Sequence, residues 1–324
     1  MPKLVKLVRE SGGMGDILTM DAPAEQIKFE EPDTQIVAYI PDDFTEILLH
    51  CRAIDGVVGI GTVPILSKIR RQANAPINPV THPYLAPVFR GIPGRVVDLY
   101  CPARPYEETC PGPLKFGRPE LFCIAAGCHS ASHAKPVWVV RPHEHKMASD
   151  FFRDHLQSPR ATIGFAPRAS GSERAYPFTP GYMPELLKWL ASKYDVLYLD
   201  CAAPPIPLPD RVFPVFAPTP IFAAILTFCR TLIAVDSFPL HLAAALDVPA
   251  IGLFGPTQAE STCATYPKAK HISGTSVDCP IPCHYSWRKN WRGRDGPNSC
   301  AQVNCKRMMS LTSERIIPIL ETLL

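Results

Sequence analysis

The chain has 324 residues, 46% hydrophobic and 19% charged, an ordinary globular balance that excludes a disordered tail protein and a fibrous one. Its 33 basic and 30 acidic residues leave a formal charge of +3, too little to bind nucleic acid across the whole surface, so any basic partner site has to be local. Proline, at 37 residues, is about twice its usual share of ~5%, and predicts many rigid loops between short elements.

At about 150 residues per domain, the length predicts two domains. The amino terminus, Met-Pro-Lys-Leu-Val-Lys-Leu-Val-Arg, has lysines where a signal peptide needs an unbroken apolar run. The longest apolar stretches, Ile221 to Val235 and Leu242 to Gly255, are broken by Arg230 and by Asp247 and Pro249, so neither reads as a membrane span. The expectation is a cytoplasmic protein whose only membrane contact would be peripheral, at the inner face.

In chain order, strands are predicted at Lys3 to Val8, Gln35 to Ile40, Val57 to Ile60, Arg95 to Leu99 and Val137 to Val140. Helices are predicted between them at Asp42 to Arg52, Val63 to Ala73 and Pro119 to Ala126. The second half predicts strands at Ala161 to Phe165, Val196 to Leu199, Val212 to Phe216, Leu232 to Val235 and Ala250 to Phe254. Helices at Met183 to Lys193, Ile221 to Arg230 and Leu240 to Leu246 separate them. Short β-branched runs alternating with helical period predict α/β architecture with parallel sheets, two in succession. The polar passage from Arg141 to Arg160 predicts the break, giving domains over residues 1–150 and 151–310 and a last helix over 311–324 packing back on the first domain.

In such sheets chemistry gathers just beyond the carboxyl ends of strands. The first strand runs into Ser11-Gly12-Gly13-Met14-Gly15-Asp16, where three glycines permit a close backbone approach and a following helix favours an anion. The loop is neither a Walker loop nor a dinucleotide fingerprint. Asp16 is open to two readings, a helix cap or a general base at the mouth of the sheet.

The strand ending at Val235 leads into Asp236-Ser237-Phe238-Pro239-Leu240-His241-Leu242-Ala243-Ala244-Ala245, then a further strand and Gly255-Pro256-Thr257. This run resembles glycosyltransferase family nine, the bacterial lipopolysaccharide heptosyltransferases, whose usual pattern is Asp-Ser-Gly-Pro-Met-His-Leu-Ala-Ala-Ala, a strand, and Phe-Gly-Pro-Thr. The Gly-Gly-Met-Gly-Asp loop is similar to the family's amino-terminal Gly-Asp loop. Arg118 to Gly127 is similar to its late first-domain helix, and Arg174-Ala-Tyr-Pro177 to its Lys/Arg-x-Trp-Pro element.

The resemblance implies the GT-B fold, two Rossmann-like domains facing each other, with an acceptor site mostly in the first and a nucleotide-sugar site mostly in the second. It implies an inverting transfer, with no metal cofactor required, of a heptose or hexose-like sugar to a saccharide, lipid-linked or other anionic acceptor such as lipopolysaccharide core. Asp16 would be the base, with Gly12, Gly13 and Gly15 shaping the acceptor-side loop. Arg174, Asp236, Ser237, His241, Gly255 and Thr257 would hold the donor. Phe238 replaces the family glycine, and the proline-rich run after Leu199, beginning at Asp200, replaces the family's usual ribose-holding loop. A sugar-nucleotide epimerase of similar build and a catalytically silent nucleotide-sugar binder remain alternatives.

Twelve cysteines are many for the cytosol but fall well short of the roughly 8–10% typical of small disulfide scaffolds. Cys279, Cys283, Cys300 and Cys305 bunch near the end, and the spacing admits a structural zinc, a pair of disulfides, which a cytoplasmic chain disfavours, or buried thiols with neither. Between them Arg288, Lys289, Arg292 and Arg294 stand among two tryptophans. They read either as a solvated loop or as a contact for an anionic acceptor, a phosphorylated saccharide or a polynucleotide.

Overall fold

Runs such as Leu4-Val-Lys-Leu-Val8 and Thr231-Leu-Ile-Ala-Val235 are apolar at nearly every position, the pattern of strands covered on both faces. The computed structural model describes residues 3–10, 12–66, 85–89, 91–99, 115–156, 160–170, 174–263, 265–277, 279, 282 and 305–324. It divides into two compact units, with the boundary between Val139 and Val140.

In the first unit β1 (Leu4–Val8), β2 (Gln35–Ile40), β3 (Gly56–Gly59) and β4 (Arg95–Asp98) form a parallel sheet of order β3-β2-β1-β4. Around it lie α1 (Met14–Leu18), α2 (Asp21–Glu30), α3 (Thr45–Leu48), α4 (Ala86–Phe89) and α5 (Arg118–Ala125). One face packs Val8, Tyr39 and Ile60 with Leu66, Leu85 and Phe89. Lys6, the polar residue inside β1, is buried and donates through Nζ to the Ile92 carbonyl at 2.6 Å.

The second unit begins with α6 (Pro142–His155), which packs on α8 (Thr219–Leu226). Its parallel sheet comprises β5 (Thr162–Ala166), β6 (Asp195–Leu199), β7 (Val212–Val215), β8 (Thr231–Val235), β9 (Ala250–Phe254) and β10 (Ala269–Ser273), in the order β10-β9-β8-β5-β6-β7. The crossovers are α7 (Met183–Lys193), α8, α9 (Phe238–Ala245) and α10 (Ala259–Cys263), and α11 (Ser313–Glu321) closes the chain. Among the described residues no helix is long and apolar enough to cross a membrane.

Several expectations are corrected. The predicted strand at Val137 to Val140 is a single antiparallel bridge, Trp138 to Cys51. The Val137 amide is taken by Asp21 Oδ2 at 2.8 Å, and Pro136 can offer no donor, so a ladder has no regular bonds to propagate. The domain break falls ahead of the polar passage because that passage is α6, whose Phe152 stacks on Phe228 at 4.7 Å. The helix predicted from Asp42 to Arg52 splits into a 3₁₀ turn at Asp42–Phe44 and the short α3. The one predicted at Val63 to Ala73 extends beyond the described residues. The last helix belongs to the second unit: Ile316 and Leu320 sit in its core with Leu187 and Leu190, and Lys193 pairs with Glu321. Helix α2 and strand β10 went unpredicted, α2 because Pro23 lies in its first turn and β10 because its pattern is half exposed.

Asp21, fully buried at the start of α2, ties the Val137 segment to the sheet. Burial outweighs that amide bond and pushes its carboxyl well above the ordinary carboxylate range. The folded chain therefore holds the proton more tightly than the unfolded chain, so the contribution is whole below the unfolded value of about 3.9 and is lost as pH rises toward the folded one. Asp21→Asn is expected to raise the melting temperature more at neutral pH than near pH ~4. Equal shifts at both pH values in calorimetry would show that another group titrates.

Candidate active-site loops

In each sheet the strand order reverses once, and the crossovers diverge there to leave a crevice at the carboxyl edge. In the first unit the reversal lies between β1 and β4, and in the second between β5 and β8.

The loop leaving β1 carries Arg9 and then Gly12, Gly13, Gly15 and Asp16, the last three entering α1. Gly12 has φ +134, and a Cβ there would come within 2.8 Å of the Asp16 Cβ, so the turn that folds this loop over the carboxylate needs glycine. Asp16 Oδ2 accepts the Gly13 amide at 3.0 Å. Oδ1 meets two guanidinium groups, Arg9 Nη2 at 3.2 Å and Arg118 Nη1. Arg9 also donates to the Leu99 carbonyl at 3.0 Å, bridging the strand reversal, and lies over the Phe122 ring. Asp16 thus caps its helix, as the first of the two readings has it, and its other oxygen is held by two cations.

In the second unit Arg174 Nη1 donates to the Asp236 carbonyl at 2.9 Å and lies 3.7 Å from its carboxylate, while Nη2 donates to Ser170 Oγ at 3.1 Å. Two residues on, Tyr176 is fully buried, edge-on to Phe165, with its amide on the Pro167 carbonyl. That anchor fixes where Arg174 emerges. Ser237 precedes α9 in extended conformation, and its hydroxyl turns back to the Val235 carbonyl at 3.2 Å rather than capping the helix. His241 Nδ1 lies 2.7 Å from the Tyr266 hydroxyl. Phe238 takes the first helical position and is not among the positive-φ residues, so the backbone there does not need the family glycine.

Gly255 and Thr257 follow β9. A Cβ on Gly255 would overlap the Met308 side chain, and the Gly255 carbonyl accepts from Arg307 Nε at 2.9 Å. Thr257 Oγ1 is buried and has no hydrogen-bond partner among the described residues.

Sequence reasoning missed four cations in these loops: Arg9, the pairing role of Arg118, Arg168 and Arg307. Arg168, just past β5 at the reversal, pairs with Asp200, which also accepts from the Tyr198 hydroxyl at 3.3 Å. The Asp200 carboxylate raises the Arg168 pKa. Arg9 and Arg168 were findable as strand-exit residues, whereas Arg307, 52 positions from Gly255, had no local signal. Arg288, Lys289, Arg292, Arg294, Cys283 and Cys300 lie outside the described residues. Cys305 is in the core and the Cys279 carbonyl accepts from Arg307. Among the described residues no three His, Cys, Asp or Glu side chains cluster as metal ligands.

Residues 220–285, spanning β8, α9 and β9, match the model of glycosyltransferase family 9 (heptosyltransferase). That stretch of the chain is similar to family 9. The resemblance read from Asp236 to Thr257 lies inside that match. No curated protein matches the chain by sequence. Among solved structures, Escherichia coli ADP-heptose lipopolysaccharide heptosyltransferase II is similar at TM-score 0.63 and 17% identity, over 99% of this chain and 98% of that one. A family 9 glycosyltransferase from Veillonella parvula DSM 2008 reaches TM-score 0.67 at 14% identity, over 99% and 97%. E. coli TibC, an iron-containing dodecameric glycosyltransferase, reaches 0.60 at 14%, over 99% and 76%. The fold is that of the GT-B glycosyltransferases.

Gly255→Ala is expected to destabilise the second unit by about 1–3 kcal/mol, because the methyl group overpacks against Met308. Urea unfolding checks it, and an unchanged midpoint would mean that the Met308 turn yields freely.

Proposed function

We propose that this chain transfers a sugar with inversion from a nucleotide-sugar donor to a hydroxyl of a saccharide or lipid-linked, anionic acceptor, the lipopolysaccharide core being the model case. The observation that carries the reading is the family 9 segment at the strand reversal of the second sheet, with Arg174 held at its mouth by Asp236. The similar structure of E. coli WaaC was solved with ADP-2-deoxy-2-fluoro heptose, which makes an ADP-heptose the first donor to try.

The chemistry assigned to the chain is a single displacement. Asp16 takes the acceptor hydroxyl proton as the oxygen attacks the anomeric carbon, and the bond from that carbon to the diphosphate breaks. Gly12 and Gly13 let the acceptor approach the carboxylate, and Arg9 and Arg118 keep it aimed. Negative charge gathers on the departing diphosphate. Arg174, the positive amino end of α9, Ser237 and the His241 imidazole are the groups suited to hold it. Thr257, whose buried hydroxyl has no partner among the described residues, supplies a further donor at the strand exit. The Gly255 turn, pinned by Arg307, keeps that hydroxyl in place.

None of these steps calls on a metal, and the iron named for TibC makes that point worth its own measurement. Turnover is expected to survive exhaustive chelation unchanged, and a loss restored by one added metal would overturn this part of the reading.

Asp16→Asn is expected to lower turnover by about 10²–10⁴-fold while ADP-heptose still raises the melting temperature, since binding to the folded state stabilises by mass action. Comparable turnover in the variant would remove Asp16 as base. Neutralising Arg288, Lys289, Arg292 and Arg294 together is expected to raise the acceptor KM and leave the donor KM alone. Unchanged acceptor kinetics would return that segment to a solvated loop.

A further inference from the structure

Helix α5 ends in a left-handed turn. Gly127 has φ +68, its amide donates to the Ile124 carbonyl at 3.0 Å, and the Cys128 amide donates to the Cys123 carbonyl at 3.0 Å. This pair of bonds is a Schellman motif, which brings the side chain three positions before the cap against the one two positions after it, usually as an apolar contact. Here both side chains are thiols. Cys123 is buried with Ala22 and Ala134, and Cys128 packs on it half-exposed.

Cys128 also lines a cavity of about 460 Å³ whose walls include Lys3, Glu30, Arg95 and His129. A Cβ on Gly127 would lie 2.9 Å from Arg95 Nη1, so the guanidinium packs directly beside the turn. The thiol pair is therefore reachable from solvent through one partner only, with a cation at the opening.

We propose that Cys123 and Cys128 are a redox-active dithiol, oxidised to an intramolecular disulfide by a low-molecular-weight disulfide that enters this cavity. The contact with Cys123 lowers the pKa of Cys128 and raises that of Cys123; burial and the Glu30 and Glu31 carboxylates on the cavity wall oppose the lowering, Arg95 favours the Cys128 thiolate, and the balance leaves Cys128 below the ordinary thiol value. Cys128 is thus the attacking sulfur. Its thiolate displaces one thiolate from the incoming disulfide and leaves Cys128 in a mixed disulfide. With the Cys128 charge gone, the main cause of the raised Cys123 pKa is gone too. Cys123 loses its proton and attacks the Cys128 sulfur, and the second small thiolate departs. Two protein thiols are oxidised by two electrons, and one small disulfide is reduced to two thiols. The backbone needs no large movement, because the helix cap already holds the side chains in contact.

The two cysteines are the only ones on the tryptic peptide Phe116 to Lys146, so mass spectrometry reads the step directly. The full-length reduced protein is treated with oxidised glutathione, quenched with iodoacetamide and digested. The expected peptide has lost two hydrogens and carries neither alkyl group nor glutathione. In Cys123→Ala the reaction should stop with one glutathione on Cys128, and Cys128→Ser should leave Cys123 in the fully alkylated fraction after denaturation. The pH midpoint of Cys128 alkylation should lie below the ordinary thiol value of about 8.5. Persistent glutathione on wild-type Cys128, both thiols still alkylatable after treatment, or a midpoint at or above the ordinary value would each overturn the proposal. None of these outcomes depends on glycosyl transfer.

Discussion

Parallel pairing is the constraint on which the rest of this structure depends. A parallel strand can follow another only after a crossover that carries the chain back over the sheet. The loops leaving the carboxyl ends of the strands therefore collect at one edge in each unit. The reversal between β1 and β4, and that between β5 and β8, parts the crossovers at that edge. The loop bearing Asp16 leaves one reversal, and the turns bearing Arg168, Asp236 and Ser237 leave the other. Residues far apart in sequence, such as Arg174 and Asp236, meet because the geometry of the sheet sends them to one place.

At both reversals a carboxylate meets guanidinium groups, Asp16 with Arg9 and Arg118 and Asp236 with Arg174. Such half-buried pairs add little net stability, because desolvation offsets most of the attraction. Their value here is orientation, and apolar anchors provide the rest. Phe122 lies beneath Arg9, and buried Tyr176 stands two residues from Arg174. Arg307 and Met308 brace the Gly255 turn from the far end of the chain. These charged groups thus stand on packed supports rather than on free loops.

Much of this was legible in the residues. Strands covered on both faces read as plain apolar runs, so β2 and β9 were predicted to the residue, and the glycines around Asp16 marked a turn. Other features resisted for identifiable reasons. Val137 to Val140 has the composition of a strand, yet its first amide is claimed by Asp21, more than a hundred residues earlier. The polar stretch from Pro142 looked like a linker because its helix buries only a narrow stripe. Phe238 looked like an obstacle until its place at the first turn of α9 showed that no left-handed backbone is required there.

By itself the sequence determined the class of fold, two successive parallel α/β units, and the stretch that resembles family 9, because apolar patterning and turn chemistry are local properties. It also determined that the loop of Asp16 and the Asp236-Ser237 turn would stand just past strands. Only the tertiary structure decided what each of them touches. Arg118 reaches Asp16 across 102 positions and Arg307 reaches Gly255 across 52, and the Cys123 and Cys128 thiols face each other only because Gly127 turns left-handed. Local preferences set where a chain bends and what it buries, but a side chain's partners are chosen by packing between segments that no local pattern relates.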